Sequence, residues 1–309
     1  MELALRAPLA YSLPAWHPGG YRDAQLWIDD LRSLGFRWIT FTPTYLVYDE
    51  MPPRIDVSRG PSLTELRAAV EYAVACGMSV KLEPHLDFET TLTGGPYDWR
   101  ARMRISPLGA YTDDVILPLL DLPCSALTLG SELDVSVCEF AADWERLAET
   151  VRGRGSTLGP ALGHNLNPGA KRAPAREYID SLDWVSVSFY QKISAARYIA
   201  PQLRRHAEQV ARGLHGFTIG EFGLGSADLS RPWHCDAASL LVPGAMHVRR
   251  RYYLAFLEFL RGAVDLVGDR PSAFWTVDHC DFLGALRFPG SELFRDDELR
   301  QAVADYNLG

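Results

Sequence analysis

A regular alternation of short apolar runs with amphipathic segments constrains the fold of this 309-residue chain most strongly. Segments 23–34 and 247–260 carry apolar residues at helical spacing, which predicts helices between the apolar runs. Eight apolar runs are predicted as strands, at 3–13, 38–45, 78–84, 126–130, 160–164, 184–189, 217–220 and 272–277. Eight strands alternating with helices predict an α/β protein with the (β/α)8 TIM barrel fold. A doubly wound open sheet is the alternative, but it normally has fewer strands.

The organisation of the chain is predicted to be simple. No Pro/Gly-rich linker or shift in composition divides it, so we predict a single domain over residues 1–309. Ser62-Leu-Thr-Glu65 has the pattern of a capping box, which predicts the start of a helix, and Gly77 predicts its end. No G-x-G-x-x-G motif follows the first strand, so the sequence does not support a nucleotide site.

Composition argues against several kinds of partner and cofactor. The net charge is -8, whereas proteins that bind nucleic acids or anionic membranes present basic surfaces, so we expect neither partner. The five cysteines are irregularly spaced and form no CxxC pair, which argues against a disulfide framework or a zinc knuckle. No apolar run approaches the roughly 20 residues of a membrane span, and the first ten residues lack a secretory pattern. We therefore expect a cytoplasmic protein, unless a leader has been removed, that needs no cofactor.

Polar, acidic and aromatic side chains follow the predicted strands. In (β/α)8 barrels, catalytic groups come from the carboxyl ends of the strands and from the loops that follow them. The residues at these positions are Trp16, His17, Tyr45, Glu83, His85, Asp87, Ser131, Glu132, His164, Asn165, Asn167, Tyr190, Glu221, Trp275, Asp278 and His279. The sequence thus predicts a functional site at this end of a barrel.

Two of the strand ends share one form, in which an apolar strand and a glycine are followed by a glutamate. These segments are Leu127-Thr-Leu-Gly-Ser-Glu132 and Phe217-Thr-Ile-Gly-Glu221. Hydrolysis of a glycosidic bond needs such a pair, about 5–5.5 Å apart if configuration is retained and about 6.5–9.5 Å apart if it is inverted. Taken alone, each glutamate fits a helix cap or an ion pair equally well. The pair makes glycoside hydrolysis the favoured interpretation.

Aromatic side chains near the predicted strand ends are candidates for sugar binding, because their faces suit the apolar faces of pyranose rings. Each of them also fits core or lid packing. These candidates are Trp16, Tyr45, Trp99, Trp233 and Trp275. Arg100 follows Trp99 in the long loop after the third strand and is a candidate to reach the same cleft.

A metal site is a second interpretation of some of the same residues. His85 and Asp87 form an H-x-D pair, to which His164 and His279 could add ligands. Barrel metallohydrolases generally have a pair of ligands on the first strand, where this chain offers only His17, and no H-x-H motif occurs. We therefore expect no metal, and His85 to orient a carboxylate or contact a sugar hydroxyl.

Taken together, these segments resemble the clan A glycoside hydrolases, and most of all glycoside hydrolase family 113, which is known for β-1,4-mannanase activity. The resemblance covers most of the chain, from about residue 38 to residue 281. No single segment is specific, but their order and spacing are. The matching segments are 38–45, 62–65, 80–87, 99–100, 129–133, 144 with 151–152, 183–190 and 219–223.

The resemblance implies an eight-stranded barrel and a retaining mechanism, with Glu132 as general acid/base and Glu221 as nucleophile. It further implies that Tyr190 lies near the nucleophile and Trp275 on the floor of the site. The residues expected to contact an oligosaccharide or polysaccharide are Trp16, Tyr45, His85, Trp99, Arg100, Ser131, Asn165, Tyr190 and Trp275. The expected substrate is a β-1,4-linked glycan, mannan or a manno-oligosaccharide. An exo-acting β-glycosidase, a xylan or glucan hydrolase, and a non-catalytic sugar-binding barrel remain alternatives.

Two positions depart from the usual pattern of clan A. Ser131 stands where these enzymes usually have an asparagine that holds the sugar 2-hydroxyl, although family 113 is similar in using a small hydroxyl residue there. Recognition of the 2-hydroxyl is therefore unassigned. Glu83 stands where a basic residue is expected, with Lys81 two positions earlier, and this exchange could change the charge of a subsite.

Overall fold

The structure is a computed structural model, and it describes most of the chain. The described residues are 6–50, 53–88, 103–154, 159–167, 175–193, 199–212, 214, 217–232, 236–267, 270–275 and 291–309, without the side chains of 49, 50 and 291. Five residues considered above lie outside them, namely Trp99, Arg100, Trp233, Asp278 and His279. The predictions for these five stay predictions.

Ten strands and ten α-helices are defined among the described residues. The strands are β1 (Leu9–Ala15), β2 (Trp38–Glu50), β3 (Pro53–Asp56), β4 (Ser79–Leu82), β5 (His85–Phe88), β6 (Ala126–Ser131), β7 (Ala161–Leu166), β8 (Trp184–Ser188), β9 (Phe217–Glu221) and β10 (Ser272–Trp275). The helices are α1 (Ala24–Ser33), α2 (Leu63–Ala75), α3 (Leu117–Leu120), α4 (Asp134–Glu139), α5 (Ala141–Arg154), α6 (Arg176–Asp180), α7 (Ile199–Ala211), α8 (Ala237–Leu240), α9 (Ala245–Arg261) and α10 (Asp297–Leu308). A π-helical turn (Tyr111–Ile116) precedes α3, and a 3₁₀ turn (Ser291–Phe294) precedes α10.

The chain forms two compact units. The first unit comprises the described parts of Met1–Leu13, Leu26–Trp38 and Phe189–Gly309. Its strands lie in the order β9, β10, β1, and β1 pairs with β10 in parallel. Helix α9 packs aromatic side chains against the end of β9, where the ring of Phe222 stacks on Phe256 with centroids 3.6 Å apart. This stack belongs to the apolar core of the unit.

The second unit comprises Pro14–Gln25 and the described parts of Ile39–Ser188. Its strands lie in the order β2, β4, β6, β7, β8, with parallel pairing from β4 to β8. Strand β2 continues beyond this sheet and pairs with β5 in parallel and with β3 in antiparallel orientation. Both faces of the central strands are buried, as expected for parallel strands covered by helices.

The predicted fold class is confirmed. Strands occur at all eight predicted positions, a helical segment follows each of them, and the strand orders within the two units are those of a (β/α)8 barrel. Half of the predicted capping box is present, because the Ser62 side chain accepts a hydrogen bond from the Glu65 N–H ahead of α2. The Ser62 N–H donates to the carbonyl oxygen of Pro18 instead of to the Glu65 side chain. The single domain stays a prediction. Among the described residues, no helix combines the length and the apolar character required to span a membrane.

Candidate active site

Glu132 follows β6 directly and has an unusual backbone conformation. Its φ is +58°, and it is the one non-glycine residue with a positive φ in the part of the chain that the structure describes. Its main-chain N–H donates to the carbonyl oxygen of Asn165 on β7 at 2.8 Å. Its side chain is partly exposed. Left-handed backbone at a non-glycine residue is strained, and such strain concentrates at functional sites.

The residues before Glu132 leave little room for substitution. A Cβ atom on Gly130 would lie 2.6 Å from the ring of His164 and 2.8 Å from that of Trp144. A glycine is therefore required where the β6 backbone passes these two buried rings. This close approach explains the glycine that precedes Ser131 and Glu132 in the motif.

Ser131 belongs to a buried polar network on β6 and β7. Its hydroxyl donates to Oε1 of Glu83 at 3.3 Å and accepts a hydrogen bond from the amide of Asn165 at 3.0 Å. The same amide donates to Ser188 at 3.0 Å, and its oxygen accepts from Ser186, also at 3.0 Å. All five side chains are buried. The side chain of Asn165, a predicted sugar contact, is thus fully buried and bonded to serines.

Glu83 is a buried carboxylate held between two nitrogen-bearing side chains. Lys81, two residues earlier on β4, forms an ion pair with it, and His85 Nε2 lies 3.6 Å from Oε1. Burial acts to raise the pKa of Glu83, but the Lys81 ammonium and the neighbouring His85 imidazole outweigh it and lower this pKa to about 2. The ammonium also lies 5.0 Å from the centre of the Trp184 ring. The predicted contact residue His85 is itself completely buried.

The same surroundings bear on metal binding. Glu83 and His85 offer a carboxylate and an imidazole, which are common metal ligands. The Lys81 ammonium already supplies positive charge to Glu83, which reduces the attraction of a cation to this carboxylate. His164 contacts the Tyr178 hydroxyl at 3.1 Å, and its burial lowers its pKa to about 3, so it is neutral. The expectation of no metal stays a prediction.

Asp134 is a second buried carboxyl group, two residues after Glu132. Its two oxygens accept hydrogen bonds from the N–H of Asn167, each at 3.2 Å. Burial raises its pKa to about 7, and the nearby charge of Glu132 adds to this increase, while the Asn167 N–H opposes it. A group that titrates near neutral pH therefore lies beside the candidate acid/base.

Glu221 ends β9 in the first unit, where its side chain is only 3% exposed. Its Oε2 accepts a hydrogen bond from the Tyr190 hydroxyl at 3.0 Å, so Tyr190 lies beside Glu221 as the resemblance implied. Its carbonyl oxygen accepts from the N–H of Phe189 at 2.7 Å. A phenol that donates to a carboxylate orients it and stabilises its charge.

The backbone after Glu221 is held by the adjacent strand. The N–H of Phe222 donates to the carbonyl of Ala273 at 3.1 Å, and its carbonyl accepts from the N–H of Trp275 at 2.9 Å. The Phe222 ring is buried between those of Phe256 and Tyr252, with centroids 3.6 Å and 4.7 Å away. The nucleophile candidate and the predicted floor residue Trp275 are thus fixed on adjacent strands by hydrogen bonds and ring packing.

The remaining predicted contact residues have distinct surroundings. Trp16 follows β1 and is partly exposed, as a sugar platform requires. Tyr45 is 5% exposed, and burial raises its pKa, so its hydroxyl stays protonated. Gly60 lies against its ring, with a built Cβ only 2.5 Å away. Trp275 is 9% exposed.

Lys81, Asp134, Ser186 and Ser188 were not among the predicted site residues. Lys81 and Glu83 are two positions apart in an apolar segment. In a strand, this spacing places both side chains on the same face of the sheet, so the sequence did indicate that the two charges are close together. Asp134 carried no comparable signal, because an acid in the first turn of a helix is ordinary.

Comparison with known proteins identifies the fold of the chain. No protein-family model and no curated protein matches it. A GH113 β-1,4-mannanase structure matches with a TM-score of 0.69 and 16% identity, covering 99% of both chains. A GH113 β-mannanase from Alicyclobacillus acidocaldarius, in complex with ManMIm, matches with a TM-score of 0.66 and 18% identity over 99% of both chains. A GH5_18 protein from Streptomyces cattleya, in complex with GlcNAc, matches at 0.59 and 15%, covering 98% of this chain and 80% of that one.

At these levels of identity the likeness concerns the fold. The resemblance inferred from the sequence motifs is therefore confirmed as a similarity of structure, which extends over the whole length of the family 113 proteins. The chain has the (β/α)8 fold of clan A, with structures of glycoside hydrolase families 113 and 5 among its structural neighbours.

Proposed function

We propose that this protein is a retaining glycoside hydrolase that cleaves β-1,4-linked glycans, with mannan or manno-oligosaccharide as the substrate. Glu132 is the general acid/base and Glu221 the nucleophile. The observation that carries the proposal is the left-handed backbone of Glu132, a strained glutamate directly after a strand in a fold that glycosidases share.

The environment of Glu221 supports its role as nucleophile. An attacking carboxylate must be ionised and held in one orientation. The hydrogen bond from Tyr190 and the strand ties on either side of Glu221 meet both needs. Glu132 is more exposed, as suits a group that must exchange its proton with water in each turnover.

The proposed reaction has two steps. In the first, Glu221 forms a bond to the anomeric carbon while Glu132 gives its proton to the departing glycosidic oxygen. In the second, Glu132 takes a proton from water, the water oxygen bonds to the anomeric carbon, and the ester to Glu221 breaks. Two inversions retain the configuration, and this route requires carboxyl groups about 5–5.5 Å apart.

The proposed substrate contacts fall into two groups. Trp16, Tyr45, Tyr190, Trp275 and, outside the described residues, Trp99 with Arg100 are proposed to touch the sugar directly. Ser131 is 1% exposed and its hydroxyl is bonded to Glu83 and Asn165, so we assign it an action through these neighbours. His85 and Asn165 are completely buried, and we assign them an action through their neighbours.

The test is hydrolysis of manno-, xylo- and cello-oligosaccharides by the wild type and by Glu132→Ala and Glu221→Ala. We expect wild-type turnover of manno-oligosaccharides, and none in Glu221→Ala despite an unchanged circular dichroism spectrum. Glu132→Ala should retain kcat/KM for aryl glycosides with good leaving groups, which need little protonation. Wild-type activity of either variant on an unactivated oligosaccharide would refute the assignment.

Two further readouts separate the alternatives. Shortened oligosaccharides as early products indicate endo action, whereas release of single sugars indicates an exo enzyme. Binding of oligosaccharides without any turnover would favour a non-catalytic sugar-binding barrel. A preference for xylo- or cello-oligosaccharides would leave the two glutamates in their roles and change the substrate.

A further inference from the structure

Asn165 contacts the end of β6 through both its main chain and its side chain. Its carbonyl oxygen accepts the N–H of Glu132 at 2.8 Å, and its amide donates to the hydroxyl of Ser131 at 3.0 Å. Asn165 therefore holds two consecutive residues, because its carbonyl oxygen binds the proposed acid/base Glu132 and its side chain binds Ser131. We propose that Asn165 is a positioning residue for Glu132, an inference that rests on the proposed function.

The tie lies where regular strand pairing is interrupted. Strands β6 and β7 pair in register up to Thr128 and Gly163, and the register then shifts before Ser131 pairs with Asn165. Such irregularities redirect side chains and are common next to active sites. Beyond the shift, the main chain of Asn165 still accepts the N–H of Glu132, and its side chain adds a second contact, to the hydroxyl of Ser131.

The orientation of the Asn165 amide is itself fixed. Its oxygen accepts from Ser186, and its nitrogen donates to Ser131 and Ser188, each at 3.0 Å. All of these groups are buried, so water does not compete for the amide. Because the hydroxyl hydrogen of Ser131 is directed to Glu83, a flip of the amide would place its oxygen against the Ser131 oxygen, and two acceptors cannot bond to each other.

Ser131 is fixed from its other side by a charge. Its hydroxyl hydrogen points to Oε1 of Glu83, which the Lys81 ammonium holds in the ionised form. The lone pairs of the hydroxyl oxygen can therefore accept the hydrogen bond from the Asn165 amide. A chain of bonds thus runs from the buried ion pair through Ser131 to Asn165, whose carbonyl holds the strained residue 132.

Loss of the Asn165 side chain should misplace the acid/base without removing it. A small displacement of a proton donor slows reactions that need protonation and spares those that do not. A purely structural role would instead lower stability and slow all substrates alike. The leaving group therefore distinguishes the two roles.

The experiment compares kcat/KM, which reports the first chemical step, for an unactivated manno-oligosaccharide and for a dinitrophenyl glycoside of the same sugar. In Asn165→Ala we expect a loss of about 10- to 100-fold on the oligosaccharide and of less than about threefold on the aryl glycoside. The matched control is Asn307→Ala, which removes an asparagine side chain that donates to the carbonyl of Leu34 at 3.0 Å in the first unit. Asn307→Ala should leave kcat/KM unchanged on both substrates.

Ser188→Ala keeps Asn165 and removes one of its anchors, so it decides the matter if Asn165→Ala does not fold. It should show the same selective loss, by about two- to fivefold. Equal losses on both substrates, or no loss, would overturn the inference. If Glu132→Ala is selective for leaving groups and the Asn165 and Ser188 variants are not, this inference alone fails. If Glu132→Ala is not selective, the proposed function fails with it.

Discussion

The hydroxyl of Tyr190 donates to Oε2 of Glu221 at 3.0 Å, and the N–H of the preceding residue, Phe189, donates to the carbonyl oxygen of the same glutamate at 2.7 Å. The segment that follows β8 thus holds both the side chain and the main chain of Glu221. The Tyr190 hydroxyl thus orients the carboxylate that is proposed to attack the sugar.

Tyr190→Phe removes the phenol that donates to Glu221 and keeps the ring. Hydrogen bonds to charged groups contribute about 1.5–3 kcal/mol, so kcat/KM should fall by about 10- to 150-fold on all substrates, irrespective of leaving group. Steady-state kinetics on an oligosaccharide and an aryl glycoside measure this. Tyr178→Phe is the control, since that phenol contacts His164 in the second unit and should leave kcat/KM unchanged. A Tyr190→Phe enzyme with wild-type kinetics would remove Tyr190 from the site.

The backbone strain at Glu132 can be measured as stability. Its φ of +58° disfavours any residue with a Cβ atom by about 1–2 kcal/mol, and glycine avoids this. Glu132→Gly should therefore be more stable than Glu132→Ala by about 1 kcal/mol, the reverse of the usual order for the two residues in a strand. Urea denaturation of both variants measures the difference. A more stable alanine variant would show that residue 132 does not adopt the left-handed conformation.

The buried pair of Lys81 and Glu83 predicts that the free energy of unfolding falls at acidic pH. The pKa of Glu83 lies at about 2 in the folded protein, below its ordinary value of 4.5, so the unfolded chain binds the proton more readily. This contribution is complete above pH 4.5 and is lost as the pH falls through about 2, and it amounts to about 3 kcal/mol. Glu83→Gln should remove this loss of stability at low pH. Urea denaturation of the wild type and the variant at several pH values measures the difference.

A paired substitution separates charge from packing at the same place. Glu83→Gln alone leaves a buried ammonium and should cost about 3–5 kcal/mol at neutral pH. The double variant Lys81→Met/Glu83→Gln has no unpaired charge and should recover much of that loss. Equal instability of the single and double variants would mean that the ion pair is not what holds this region.

Asp134 predicts an opposite dependence on pH. Burial, together with the charge of Glu132, raises its pKa to about 7 from an ordinary value of 3.8, so the folded protein holds the proton more firmly than the unfolded chain. Stability should fall by about 4 kcal/mol as the pH rises from 3.8 to beyond 7. Asp134→Asn should flatten this fall. Urea denaturation across this pH range measures the fall, and an equal fall in Asp134→Asn would show that Asp134 is not its source.

The sequence patterns predicted the positions of the strands better than their extents. Apolar runs at all eight positions were sufficient to identify the barrel class. The extension of β2 to Glu50, with β3 and β5 paired to it, was not predicted, because polar residues interrupt the alternation there. Nor was the π-helical turn at Tyr111–Ile116, since periodicity does not distinguish it from an α-helix.

The candidate site was predicted at the level of residues but not of contacts. Glycine before a carboxylate at two strand ends drew attention to Glu132 and Glu221. The positive φ of Glu132 depends on how β6 meets β7, which no local pattern encodes. The burial of Asn165 depends in the same way on its register with Ser131, so a residue expected to touch sugar proves to be bonded to three serines.

Covalent trapping tests the central claim most directly. A 2-deoxy-2-fluoro glycosyl fluoride of the preferred sugar reacts in the first step by loss of fluoride, while the electron-withdrawing fluorine at C2 slows hydrolysis of the ester. Peptide mass spectrometry then locates the attached sugar. We predict one sugar on Glu221 and none in Glu221→Ala. A sugar on any other carboxylate, or an inverted first-formed anomer without labelling, would contradict the proposed mechanism.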